Sequence, residues 1–158
     1  MRAYGVPDDL DGALPWSWAE ERLVANRNYW VVTASADGRP HAMPVWGVWR
    51  LETGTFWFSC DPGARKARNL VANPRVSVAV DDTVHVVVVE GTATAVDPTA
   101  AEPFLDDYVA KYWETEQERA DGKAFLAQNL VVEVSPARAF GIIEHEEDFA
   151  RAATRWVW

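Results

Sequence analysis

The sequence predicts a mainly β fold, an antiparallel β-barrel with peripheral helices. Three observations point there. Short runs rich in β-branched and aromatic residues follow one another with tight turns between them. Helical patterns are few and do not alternate with the strands, which disfavours a doubly wound α/β sheet. The 158 residues, 49% apolar and 25% charged, suit one globular domain spanning residues 1–158 and can bury a core without staples.

The elements follow in order. Ser17-Trp-Ala-Glu20 has the form of a capping box and opens a helix to about Asn26, with Trp18 and Leu23 toward the core. Tyr29–Ser35 reads as a strand, Asp37-Gly38 as a hairpin turn, and Pro40–Trp49 as the returning strand. Glu52-Thr-Gly54 turns the chain into a third strand, Thr55–Ser59. Arg65–Ala72 is a short helix that Pro74 stops, and Val76–Val80 is the fourth strand. The fifth, Val84–Val96, is apolar on both faces at Val86–Val89, which predicts burial between layers. Asp97-Pro98 caps an amphipathic helix, Thr99–Glu114, whose Phe104, Leu105, Tyr108, Val109, Tyr112 and Trp113 share a face. Glu114–Lys123 is charged and reads as an exposed connection. Leu130–Ser135 and Ala139–Ile143 are the last long strands, and the tail Thr154–Trp158 alternates, with Trp156 and Trp158 on one side.

Charge and cysteine content restrict the function. The net charge of -9 argues against nonspecific nucleic-acid binding and against anionic lipid surfaces. Cys60 is the lone cysteine, so neither an internal disulfide nor a multi-cysteine metal site forms. Met1–Trp16, with Asp8, Asp9 and Asp11, lacks the apolar core of a signal peptide, and no apolar run is long enough to span a bilayer. A soluble, cytoplasmic protein is the expectation. His41, His85 and His145 lack ligand spacing, so no metal is expected.

Within this acidic chain lies a basic island. Between Gly63 and Val80 stand Arg65, Lys66, Arg68 and Arg75 and no acid. On the helix, Ala67, Leu70 and Val71 are spaced to face a core, while Lys66, Asn69 and Asn73 share another face with Arg65 and Arg68 beside it. A helix start offers free N–H groups and a positive dipole end, which suits a phosphate. The alternative is a solvated surface helix. Pro40–Trp49 is also unusual. Pro40 and Pro44 remove ladder donors, which places the strand at an edge, at a bulge or beside a ligand, and Gly47 admits close approach to the backbone. His41 either donates to a ligand or sits in an exposed turn; Trp46 either stacks on a ring or packs in the core.

These residues resemble a known family. Asp37-Gly38-Arg39-Pro40-His41, Pro44-Val45-Trp46, Phe56-Trp57-Phe58-Ser59, the run Arg65–Leu70, Asn73-Pro74-Arg75-Val76-Ser77 and Val89-Glu90-Gly91 are similar to the split β-barrel superfamily of pyridoxamine 5′-phosphate oxidase-like proteins. They look most like the actinobacterial branch of flavin/deazaflavin oxidoreductases that use coenzyme F-420, as does the tail Thr154–Trp158. The resemblance implies a six- to seven-stranded split β-barrel and a homodimer with cofactor sites at the subunit interface. It implies a flavin or deazaflavin ring along Met43–Val48, hence contacts from Met43, Pro44, Val45 and Trp46. Ser59, Arg65, Lys66 and Asn69 would hold the phosphate, and Trp156 or Trp158, from its own or the partner subunit, would approach the ring. The activity implied is hydride transfer between reduced F-420 and an unsaturated or quinone-like small molecule. FMN is the alternative cofactor, in an oxidase-like flavoprotein or flavin reductase; a non-enzymatic cofactor-storage protein is the third reading. The full set of further Arg and Ser residues of the vitamin B6 oxidases is not found here, which disfavours that metabolism. A proton for the product would come from water, Tyr29, His41 or another group that the sequence does not identify.

Overall fold

The computed structural model describes residues 13–158, so the reading of Asp8, Asp9 and Asp11 lies outside the described residues. The order is α1 (Trp16–Ala25), β1 (Asn28–Ala34), β2 (Pro40–Arg50), β3 (Thr55–Cys60), α2 (Arg65–Ala72), β4 (Arg75–Val80), β5 (His85–Ala95), α3 (Glu102–Tyr112), α4 (Glu116–Leu126), β6 (Leu130–Ile143), α5 (Phe149–Ala152) and β7 (Thr154–Val157). Every pairing is antiparallel, and the sheet runs β3-β2-β1-β4-β5-β6-β7. A further pairing of β3 with β6 closes six strands into a barrel and leaves β7 as an addition on β6. The two glycine turns form as their chemistry requires: Gly38 and Gly54 have φ of 82° and 64°, a region costly for any residue with a Cβ.

The barrel encloses Tyr29, Val31, Phe56, Phe58, Val78, Val87, Val89, Val132 and Val134. A second apolar layer packs outside it, with Val48, Trp57 and Val131 against Phe104, Tyr108, Val109, Tyr112 and Leu126. β3 belongs to both layers, which is why Thr55–Phe58 are buried on both faces. β5 does not: Val87 and Val89 are buried while Val86 and Val88 face outward, half-exposed. Its run of valines reflects β propensity rather than burial between layers.

Several local expectations are corrected. Ser17 lies inside α1, Pro15 stands at the N-cap, and no side chain caps the helix. Glu20 instead accepts from the indole N–H groups of Trp16 and Trp49, at 3.3 and 3.2 Å. A true capping box sits at Thr115 and Glu118, where a connection was expected, and it starts α4. Asp97 holds the Thr99 N–H at 2.9 Å in a turn, and α3 begins only at Glu102. β6 is one continuous strand through Pro136, which is tolerated because the β5–β6 register shifts between Glu90 and Gly91, opposite it. Val71 is exposed, and Asn69 takes its place against the barrel.

The two prolines of β2 follow the edge rule. β2 pairs with β1 from Pro40 to Trp46 but with β3 only from Gly47 to Arg50. Pro40 and Pro44 therefore stand where the strand has one neighbour.

Candidate cofactor site

The free edge of β2, the β1–β2 turn and α2 surround a cavity of about 290 Å³ lined by Ser35, Asp37, Arg39, Pro40, His41, Arg65, Arg68 and Asn69. Helical spacing sends Arg65 and Arg68, one turn apart, to the same side. The hairpin tip brings Arg39 back to meet them. Among the described residues, none of these guanidinium groups has a carboxylate within ion-pair distance. Asp37, also on the wall, accepts from the Ser35 hydroxyl, and that bond leads the causes holding its carboxyl below the usual range. Three like charges around one small space repel one another, and an anion relieves the repulsion. His41 Nδ1 is buried there without a hydrogen-bond partner among the described residues. A buried polar atom left unpaired costs free energy, so it too asks for a ligand.

Asn69 has a structural part. Its side-chain amide donates to Thr33 Oγ1 at 2.9 Å, with both residues buried, and so fastens α2 to β1. Pro40 is shared with a neighbouring cavity of about 490 Å³ over β1, β4 and β5, whose wall includes Arg75, Gly91 and Arg138. Arg138 is held by Glu90, whereas Arg75 has no ion-pair partner among the described residues. A basic path thus continues from the first cavity.

Of the residues singled out in the sequence, His41, Arg65 and Asn69 meet at the cavity. Ser59 and Lys66 do not line it. Ser59 lies beside the Tyr108 hydroxyl, whose ionisation is opposed by burial. Lys66 stands near Cys60, opposing the burial that pushes that thiol up. Val45 is in the core, while Met43 and Pro44 are exposed. Trp46 lies parallel to Tyr112 at 4.8 Å and remains half-exposed. Trp158 packs edge-on against Trp16 at 4.8 Å, away from the cavity lining. The close approach that Gly47 permits is internal: a Cβ there would lie 2.3 Å from the Phe56 ring.

Sequence reasoning missed Arg39 at the cavity and the polar tips of α3. Tyr112 Oη accepts from the Gly47 N–H at 2.9 Å and donates to the Arg27 carbonyl at 2.6 Å. Lys111 Nζ donates to Tyr29 Oη at 2.8 Å and to the Gly47 carbonyl at 3.2 Å. β2 is therefore tied at Gly47 from one helix. Tyr29 is fully buried, with its hydroxyl also against the Leu23 and Asn26 carbonyls, and burial pushes its ionisation far above the ordinary range. That removes it as a proton source.

Comparison with known proteins follows the fold. No curated protein matches the sequence. Among solved structures, a conserved hypothetical protein of Mycobacterium tuberculosis is similar at 20% identity, covering 91% of this chain and 85% of that one, with a TM-score of 0.69. The haem storage protein HutZ of Vibrio cholerae is similar at 21% identity, over 82% and 95%, with a TM-score of 0.62. An F-420 reductase is similar at 25% identity, over 76% and 94%, with a TM-score of 0.54. Residues 19–140, from α1 into the second half of β6, match the pyridoxamine 5′-phosphate oxidase family, whose members bind flavin-type cofactors, and the chain belongs to that family.

Proposed function

We propose that this chain is an oxidoreductase that binds the deazaflavin coenzyme F-420 and moves a hydride between it and an unsaturated or quinone-like small molecule. One observation carries the reading: Arg39, Arg65 and Arg68, without carboxylate partners among the described residues, line one small cavity together with His41. Such a donor set fits a phosphate group. Arg75 beyond it extends the positive path, which suits a cofactor with a longer acidic tail better than FMN. The 25% identity with an F-420 reductase supports the same choice.

When bound, the reduced cofactor supplies the hydride. The chain's own part is to hold and orient. Arg39, Arg65 and Arg68 fix the anionic end, and the Asn69–Thr33 bond sets α2 against the barrel. Tyr112 and Lys111 hold Gly47, so Met43–Trp46 stand as a firm wall. A proton would come from water, from His41 on the cavity lining or from another group.

The working form is a homodimer. Trp30 and Trp46 are 45% and 41% exposed and, by the register that sets Trp30 opposite Pro44, share the outer face of neighbouring strands β1 and β2, large apolar side chains that a second copy would cover.

Titration of the purified protein with F-420 and with FMN, followed by tryptophan fluorescence, tests the assignment. F-420 should bind more tightly, and bound reduced F-420 should be oxidised by members of a panel of enones and quinones. Tighter FMN binding would make the protein an FMN enzyme. Tight F-420 binding with no oxidation by any acceptor would make it a cofactor-holding protein.

A further inference from the structure

The chain has three lysines. Lys123 is ion-paired with Asp106, and Lys66 sits half-buried on α2. Lys111 has a different setting. Its ammonium lies 4.9 Å from the centre of the Tyr29 ring and 5.6 Å from that of Tyr112, and it donates to Tyr29 Oη and the Gly47 carbonyl. Among the described residues no carboxylate comes within ion-pair distance of it. Two acids nearby are already engaged: Asp107, one turn earlier on α3, takes Arg50 at 2.7 Å, and Arg50 also reaches Glu52 at 3.4 Å, while Asp81 acts on Tyr29 without coming within ion-pair distance of the ammonium. Arg27 adds a second cation. Burial first, and Arg27 second, bring the Lys111 pKa down to about 8. A neutral amine is a nucleophile, and an ordinary lysine is neutral only to about 0.1% at neutral pH.

The same side chain lines a groove of about 440 Å³ between α1, β2, the β2–β3 turn and α3. Val24, Val48, Leu51 and Ala110 give it apolar walls, and the Arg50–Asp107 pair stands at its side. Val24 and Leu51 are 39% and 62% exposed, so apolar surface is left open along the groove that Lys111 lines. This groove shares no lining residue with the cavity that holds His41.

We propose that Lys111 is an acyl-acceptor site, its ε-amine taking a short apolar acyl group from an acyl thioester while the groove receives the chain. The amine nitrogen attacks the thioester carbonyl carbon, the C–S bond breaks, and the sulfur leaves as thiol with the proton lost by nitrogen. An amide forms, and nothing is oxidised or reduced. The positive charge is lost, and the single remaining N–H keeps only one of the two bonds to Tyr29 and Gly47. Acylation thereby loosens β2 at Gly47. Any effect of that loosening on cofactor binding rests on the function proposed above; the acceptor site does not.

The test is acyl transfer to the intact protein from butyryl- and acetyl-N-acetylcysteamine near pH 8, read site by site by peptide mass mapping. Lys111 should be butyrylated about tenfold faster than Lys66 or Lys123, given its lowered pKa, and the preference should vanish in denaturant. Equal rates at the three lysines, or selectivity that survives denaturation, would overturn the proposal. Leu51→Asp, on the exposed turn, should slow butyryl transfer to Lys111 and leave acetyl transfer unchanged. No difference between the two donors in that variant would remove the groove from the proposal. Neither readout involves cofactor, so the proposal can fail while the oxidoreductase assignment stands.

Discussion

Arg65 and Lys66 are adjacent in sequence and meet different surroundings. Arg65 lines the cavity with Arg39 and Arg68, whereas Lys66 stands by Cys60. Arg65→Ala and Arg68→Ala should each weaken F-420 binding by roughly 1.5–3 kcal/mol, the range of a charge-assisted bond. Lys66→Ala should cost less, and fluorescence titration of the three variants ranks them. An equal loss for Lys66 would move the anion toward Ser59. Asn69→Ala acts on stability instead. It leaves the buried Thr33 hydroxyl without its amide partner and should cost about 1–3 kcal/mol in urea unfolding. The helix period put Asn69 on the polar face of α2, yet it is buried and Val71 is exposed. Short helices are oriented by where their ends attach, and that attachment, made to Thr33, is not written in the helix. Lys111 gives a pH signature. It holds its proton less tightly in the folded chain, so between about pH 8 and its ordinary pKa the unfolded chain binds more protons and stability rises with pH. Arg27, Tyr29, Tyr112, Arg50, Asp107 and Glu52 are the titratable and charged groups around it, with Asp81 acting on Tyr29. Compared with Lys111→Met, the wild type should gain Tm between about pH 7.5 and 9.5; a constant difference would contradict the lowered pKa.

At the scale of the element, β5 and β6 show how a strand pair absorbs a proline. Gly91 faces Pro136 at the register shift, and a Cβ on Gly91 would lie 2.1 Å from the Ser135 carbonyl oxygen. Backbone cannot yield as a side-chain tip can. Gly91→Ala should therefore destabilise the fold by about 2–3 kcal/mol or more, visible as a drop of several degrees in Tm. Strand positions were legible because alternation and turn residues are local signals. Helix starts were less so. Ser17-Trp-Ala-Glu20 and Thr115-Glu-Gln-Glu118 carry the same pattern, but Glu20 is drawn away by two indole donors supplied by Trp16 and a distant strand. Only the second pattern acts as a cap. In α4 the charged composition and Gly122 hid a helix that packs its glycine against the face of Trp113.

For the whole molecule, the barrel class followed from the succession of short strands, and the family resemblance agreed with it. The closing pair did not follow: β3 meets β6 across three intervening helices and two strands, a pairing no local pattern marks. The cavity was hidden for the same reason, since Arg39 reaches it only when the first hairpin lies beside α2. Trp30, paired in register with Pro44 on β2 and Ala79 on β4, presents an exposed indole on that outer face. Trp30→Asp should convert a species of twice the 17.7 kDa chain mass into one of single mass, measured by light scattering, and should weaken cofactor binding with it. A dimer that survives this change would place the subunit contact on another face.

β6 changes neighbours along its length, from β3 at Leu130–Val134 to β7 at Arg138–Gly141. Trp156 of β7 and Trp158 beside it then rest on Trp16 at the start of α1. The first described helix and the last described strand are thus joined in one aromatic knot, and a loop of nearly the whole described chain must close before that knot can tie. Folding of such a topology is paced by the search for distant partners rather than by local structure. Until it ends, the flank of β6 beyond Val134 stays open to any passing strand, so crowding during refolding, more than heat, is the hazard this architecture carries.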